Sequence, residues 1–175
     1  HPGNYRFAPD GSVTFLDFGL VKRWAPEEWA RLEPSLHGIL GADPEALVRS
    51  MEQVGFLPPG HGLDPAEVYS YVSAPYRPYL SDRFTFTREY VNDTISRILD
   101  VKGPHAPVIA KLNMPVSFVI LDRVVWGVSA LLGKLGATGR WRAMLEEYVD
   151  NARPASALGE AEAQWQAGRG PSGTI

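Results

Sequence analysis

The chain has no cysteine among its 175 residues, which excludes disulfides and thiolate chemistry and suits a reducing compartment. Nor has it a basic run. Its 17 Lys and Arg are outnumbered by 20 Asp and Glu, so nothing marks a nucleic-acid surface. The few histidines show no metal-ligand spacing, and His37, His61 and His105 read as surface or loop residues. One long apolar run stands out, Val116 to Leu132, but Asp122 and Arg123 sit near its middle. Each would cost roughly 2.5–3.5 kcal/mol at a bilayer centre, which argues against a membrane span. What remains is an ordinary composition, 45% hydrophobic and 21% charged, long enough for one domain with a sizeable core.

The N-terminal stretch carries the chemistry. Tyr5-Arg6-Phe7 and Val13-Thr14-Phe15-Leu16 are β-branched or aromatic and flank Pro9-Asp10-Gly11, a strong turn signal. An antiparallel hairpin over that turn brings Asn4 beside Asp17. An amide oxygen and a carboxylate so placed are hard ligands of the kind Mg²⁺ takes, with phosphates and water completing its shell. Asp17 could instead merely cap a turn, and Asn4 could serve an Asx-turn. Gly3 and Gly19 read as tight backbone beside a ligand.

Beyond Gly19 the sequence is helical. Pro26 with Glu27 and Glu28 opens a helix whose Trp29, Leu32, Leu36 and Leu40 recur at helical spacing up to Gly41. Asp43-Pro44 starts a second, with Leu47, Met51 and Val54 apolar and Gly55 as its stop. A loop runs from Phe56 to Leu63. Asp64-Pro65 starts a third, rich in Tyr69, Tyr71, Tyr76 and Tyr79 and interrupted by Pro75 and Pro78. A fourth is expected over Thr87 to Leu99, then a linker at 103–107. In the run after Pro115, Asp122, Ser129 and Gly133 share one narrow wedge at 100° per residue. The expectation is a helix buried in protein, its polar strip meeting a partner. Gly133 to Gly139 is expected to break it, before a short helix with Trp141, Met144, Leu145, Tyr148 and Val149. Residues 151–175 offer little to bury and read as a disordered tail.

His1-Pro2-Gly3-Asn4, followed thirteen positions after the Asn by Asp17-Phe18-Gly19, resembles the catalytic and metal loops of the kinase superfamily. The aminoglycoside phosphotransferase and choline kinase group shares this signature. Arg123 to Gly127 within the long helix, and Leu135-Gly136-Ala137 before Trp141, narrow the resemblance to the UbiB/AarF family of atypical kinases. Between about Ala42 and Pro107 the likeness is loose.

That resemblance implies a mainly α fold: a protein-kinase-like C-lobe over 1–150, with a small β-hairpin at its N-terminal edge and the N-lobe absent. It implies ATP and Mg²⁺ as cofactors of the intact protein, Asn4 and Asp17 as catalytic, cofactor-binding and metal-holding residues, and a catalytic Asp five positions before Asn4, upstream of His1. It also implies a role in ubiquinone biosynthesis or lipid metabolism. A cytoplasmic location is expected, with a lipid or quinone-precursor ligand and membrane association of the parent protein left open. Without the N-lobe this stretch should not turn over ATP alone. Lys22 and Arg23 stand where they could meet phosphates, though solvated positions are the more usual outcome, and His1 reads as a structural loop residue. The short distance from Gly19 to the first helix, and the lack of an A-P-E signature, argue against a protein substrate. A non-catalytic kinase-like scaffold is the other class these residues allow.

Overall fold

A computed structural model describes residues 2–19, 21 and 23–168. His1, Leu20 and Lys22, with the readings attached to His1 and Lys22, lie outside the described residues. The fold is mainly α, as expected, with two small antiparallel sheets. A 3-10 turn at Pro2–Asn4 leads into strands β1 (Tyr5–Phe7) and β2 (Val13–Phe15). Helices α1 (Pro26–Leu40), α2 (Pro44–Val54) and α3 (Pro65–Val72) follow, then a 3-10 segment at Ala74–Tyr79 and strand β3 (Phe84–Thr85). After these come α4 (Arg88–Leu99), α5 (Ala106–Lys111), α6 (Val116–Leu135), β4 (Thr138–Gly139), α7 (Trp141–Val149) and α8 (Ala157–Ala167).

The helix starts follow from local chemistry. Asp43 Oδ1 accepts from Ala46 N at 2.9 Å, Asp64 Oδ1 from Ala66 N at 2.9 Å, and Thr87 Oγ1 from Tyr90 N at 3.0 Å. Each satisfies a donor that the first turn leaves orphaned. The core then assembles between α1, α2, α3 and α5, where Ile39, Leu47, Val48, Met51, Leu57, Val68, Tyr71 and Val108 are buried together. Gly38 lets α1 approach α2 closely: a Cβ there would lie 2.8 Å from Leu47 N. Tyr69 and Tyr71 tie α3 into this core, donating to the Ile39 and Ile98 carbonyls at 3.0 Å each.

Several expectations need correction. The segment at 103–107 is not all linker, since α5 begins at Ala106 and buries Val108. Gly133 does not break α6. The helix runs through it to Leu135 and ends at Gly136, whose φ of 61° suits glycine. Gly133 instead faces α4, where a Cβ would sit 3.0 Å from Thr87 O and 3.1 Å from Val91 Cγ2. Residues 151–168 are not without order, because α8 forms there. Its Ser156 Oγ accepts from Gly159 N at 3.1 Å, and Tyr148 of α7 donates to Glu162 at 2.7 Å. Capping and side-chain bonds hold this helix where composition offers little apolar burial. The β3–β4 pairing, Phe84↔Gly139 and Thr85↔Thr138, has no counterpart in the sequence reading.

The largest departure concerns α6. Its small and polar wedge does meet a partner, at Gly133, but the helix is not buried. Gly133 is its single buried residue among those whose burial is described. Val124, Val125, Val128 and Leu135 are exposed. The cause is topological: α4 packs along one side of α6, and among the described residues these four valine and leucine side chains are covered only in part. Among the described residues, no helix is long and apolar enough to cross a membrane.

Candidate functional site

The expected antiparallel hairpin forms, with the register Tyr5↔Phe15, Arg6↔Thr14 and Phe7↔Val13. Its turn closes with Ala8 N to Ser12 O at 2.9 Å and Gly11 N to Ala8 O at 3.0 Å, and Gly11 takes a φ of 86°. Asp10 Oδ1 accepts from Ser12 N at 2.9 Å, and hydrogen bonding at Ser12 holds the Asp10 carboxyl below its ordinary value. At the open end Leu16 N donates to Asn4 O at 2.9 Å, extending the ladder by one rung. That rung sets Asn4 alongside the residue before Asp17.

The two side chains meet. Asn4 Nδ2 donates to Asp17 Oδ2 at 3.1 Å. Gly19 N donates to Asp17 Oδ1 at 2.7 Å, so Asp17 caps its own turn through one carboxylate oxygen while the other faces Asn4. A Cβ on Gly19 would come within 3.0 Å of Asp17 Oδ1, which explains glycine there without any appeal to positive φ. The hydrogen bond between them is solvent-exposed.

This donor set fits a hard cation. Two oxygen ligands in neighbouring positions of an octahedron, each roughly 2.1 Å from Mg²⁺, lie about 3 Å apart. The 3.1 Å between the Asn4 amide and Asp17 matches that separation. Oxygen and nitrogen of an amide exchange places by a half turn of the side chain, so the amide can present its oxygen without moving the backbone. Two protein ligands leave most of the shell to phosphates and water, as Mg²⁺ sites on nucleotides do. Among the described residues no group of three or more His, Asp or Glu converges on a second candidate metal site.

The other residues singled out from the sequence lie elsewhere. Arg23 is exposed. His37 pairs with Asp150 at 3.3 Å, near the end of α1. His61 is a loop residue, but its ring is not on the surface. Its Nδ1 accepts from Leu63 N at 2.9 Å, and its Nε2 lies 3.5 Å from Glu52. Asp122 is half-buried yet makes no hydrogen bond among the described residues, contrary to the expected bonded strip. Burial pushes its carboxyl up. Burial, Asp122 and Tyr79 together push the Tyr76 phenol up to about 12.

Two features escaped the sequence reading. Trp24 packs at a tilt on Phe118 at 5.1 Å between centroids and Phe118 packs edge-on with Phe56 at 4.7 Å, anchoring the segment after the hairpin to the start of α6. Arg97 of α4, Ser70 of α3 and His105, just before α5, also come together. No local pattern announces either, because the partners are far apart in sequence.

Over 55 residues the chain is 38% identical to an uncharacterized aarF domain-containing protein kinase, chloroplastic, of Arabidopsis thaliana. The match covers 31% of this chain and 10% of that relative. No family profile matches the chain. The resemblance to atypical kinases of the UbiB/AarF type is thus met by a relative of that description, over part of the chain.

Proposed function

We propose that this chain is the metal-gripping hairpin and helical lobe of an atypical kinase or ATPase of the UbiB/AarF type. The observation carrying the proposal is the 3.1 Å approach of Asn4 to Asp17 across the hairpin. In this reading Asp17 and Asn4 hold Mg²⁺ on the phosphates of ATP. The bound cation would neutralise charge on the phosphate oxygens as a phosphoryl group leaves. Asp17 contributes a carboxylate already oriented by Gly19 N, so little rotamer freedom is lost on binding. Asn4 contributes a neutral ligand that the β-ladder holds in place. The catalytic Asp is expected five positions before Asn4.

Residues 20–25 alone separate the hairpin's Gly19 from α1 at Pro26. That leaves no shelf for a peptide, and it supports a small-molecule or lipid-linked acceptor over a protein. Isoprenoid quinone or lipid metabolism is the setting the resemblance offers. The matched relative is far longer than the matched stretch, so the activity is proposed for a protein that includes the preceding lobe.

The test is a nucleotide titration of such a protein with and without Mg²⁺. Asp17→Asn should weaken the Mg²⁺-dependent affinity at least about tenfold, the loss expected for one charge-assisted ligand. Because Asp17 is exposed, the variant should keep its melting temperature. Unchanged Mg²⁺-dependent affinity would overturn the assignment.

A further inference from the structure

Away from the hairpin, a cleft of about 470 Å³ opens where α4 meets the start of α5, lined by Ser96, Arg97, Asp100, Pro104 and His105. It shares no residue with the Asn4–Asp17 pair, and the inference drawn here does not rest on the kinase reading. Arg97 is unusual among the basic residues. Its Nη2 is held three ways: by Ser70 O at 3.1 Å, Ser70 Oγ at 2.9 Å and His105 Nε2 at 2.8 Å. No carboxylate among the described residues lies within ion-pair distance of it. The remaining guanidinium donors, Nε and Nη1, bond to nothing among the described residues.

A guanidinium never accepts, so in this contact His105 Nε2 is the acceptor and the ring proton sits on Nδ1. That N–H is likewise without a partner among the described residues. The ring is further steadied by Tyr71, at 5.6 Å between centroids. The cleft is therefore lined by a cation held by neutral groups and without an ion-pair partner among the described residues, by the His105 ring and by Ser96. A planar fork of that kind suits phosphate or carboxylate oxygens. Asp100 shares the wall, its Oδ1 accepting from Lys102 N at 3.3 Å. A bare anion meets repulsion from it, whereas a ligand bearing an ammonium or hydroxyl beside its acid group does not.

From this geometry we infer that the α4–α5 cleft binds a small molecule carrying a phosphate or carboxylate next to a positively charged or hydroxyl group. Its acid oxygens take the free edge of Arg97, and its donor faces Asp100. The volume is within the range of small-ligand sites.

The test is an NMR titration of the chain, following the Arg97 side chain and the His105 ring, with inorganic phosphate, acetate and phosphoethanolamine as probes. Saturable shifts at both residues are expected, with phosphoethanolamine tighter than inorganic phosphate. Acetate against phosphate decides between a carboxylate and a phosphate ligand. Arg97→Gln should weaken binding about tenfold or more. Asp100→Asn should do the opposite for inorganic phosphate, tightening it, while narrowing the advantage of phosphoethanolamine. This second variant keeps the inference testable should Arg97→Gln unfold, since Arg97 also links α3, α4 and the residue before α5. Shifts that never saturate, or an Asp100→Asn variant that changes neither affinity, would overturn it.

Discussion

Two helices of this chain invert the usual relation between composition and burial. α2, with 11 residues, buries Leu47, Val48, Ser50 and Met51. α6, with 20 residues and a far more apolar sequence, buries Gly133 alone among its residues of described burial. α2 lies between α1 and α3, so its apolar stripe is covered from two sides. α6 seats Gly133 against α4, and Val124, Val128 and Leu135 remain 44%, 41% and 60% exposed. Burial is thus decided by how many neighbours an element has and which face they take.

That contrast can be broken by substitution. The largest effect should come from Leu47→Ala, which empties a fully buried site and should cost about 2–5 kcal/mol in urea unfolding. Gly38→Ala comes next. A Cβ 2.8 Å from Leu47 N meets backbone, which cannot step aside, and a loss of about 1–3 kcal/mol is expected. Gly133→Ala should cost less, on the order of 1 kcal/mol, since the contacts are looser and one of them is a side-chain methyl. If the Gly133 variant proved as damaging as the Gly38 one, α6 would be as tightly seated as α2 and the contrast would fail.

A pH series sharpens the same point. Burial raises the Asp122 carboxyl above its ordinary value of 3.8, so the folded state favours the neutral acid. The stability this contributes is complete below pH 3.8 and lost as pH rises through the raised value. Unfolding of the parent chain and of Asp122→Asn, compared across that window, should show the parent falling behind as pH climbs. A parent that gains on the variant instead would reverse the sign. Val128→Lys should be the mildest, within about 0.5 kcal/mol of the parent, as befits an uncovered side chain.

Much of the helical frame was readable in advance because its signals are local. Asp43 and Asp64 cap the helices they precede, and Gly55, with φ 83°, ends α2. The hairpin was readable for the same reason, and with it the candidate site. A tight turn at Gly11 fixes the register, and the register sets Asn4 opposite Leu16, the residue next to Asp17. The second sheet was not legible: two-residue strands 53 positions apart at their nearest leave no periodicity to detect. Nor was the cleft, whose Arg97 reaches Ser70 27 positions away.

Sequence alone therefore determined where α1 to α4 begin, the fold of the N-terminal ribbon and the pairing of an amide with an acid at its open end. Each is set by residues within a few positions of one another, or by a turn that joins them. Only the tertiary structure decided that the most apolar helix leaves Val124, Val128 and Leu135 exposed, that Gly133 serves as a seat against α4 and not as a break, and that Arg97 meets Ser70 and His105. Those outcomes depend on which surfaces meet across the whole chain, and no short stretch of residues encodes that.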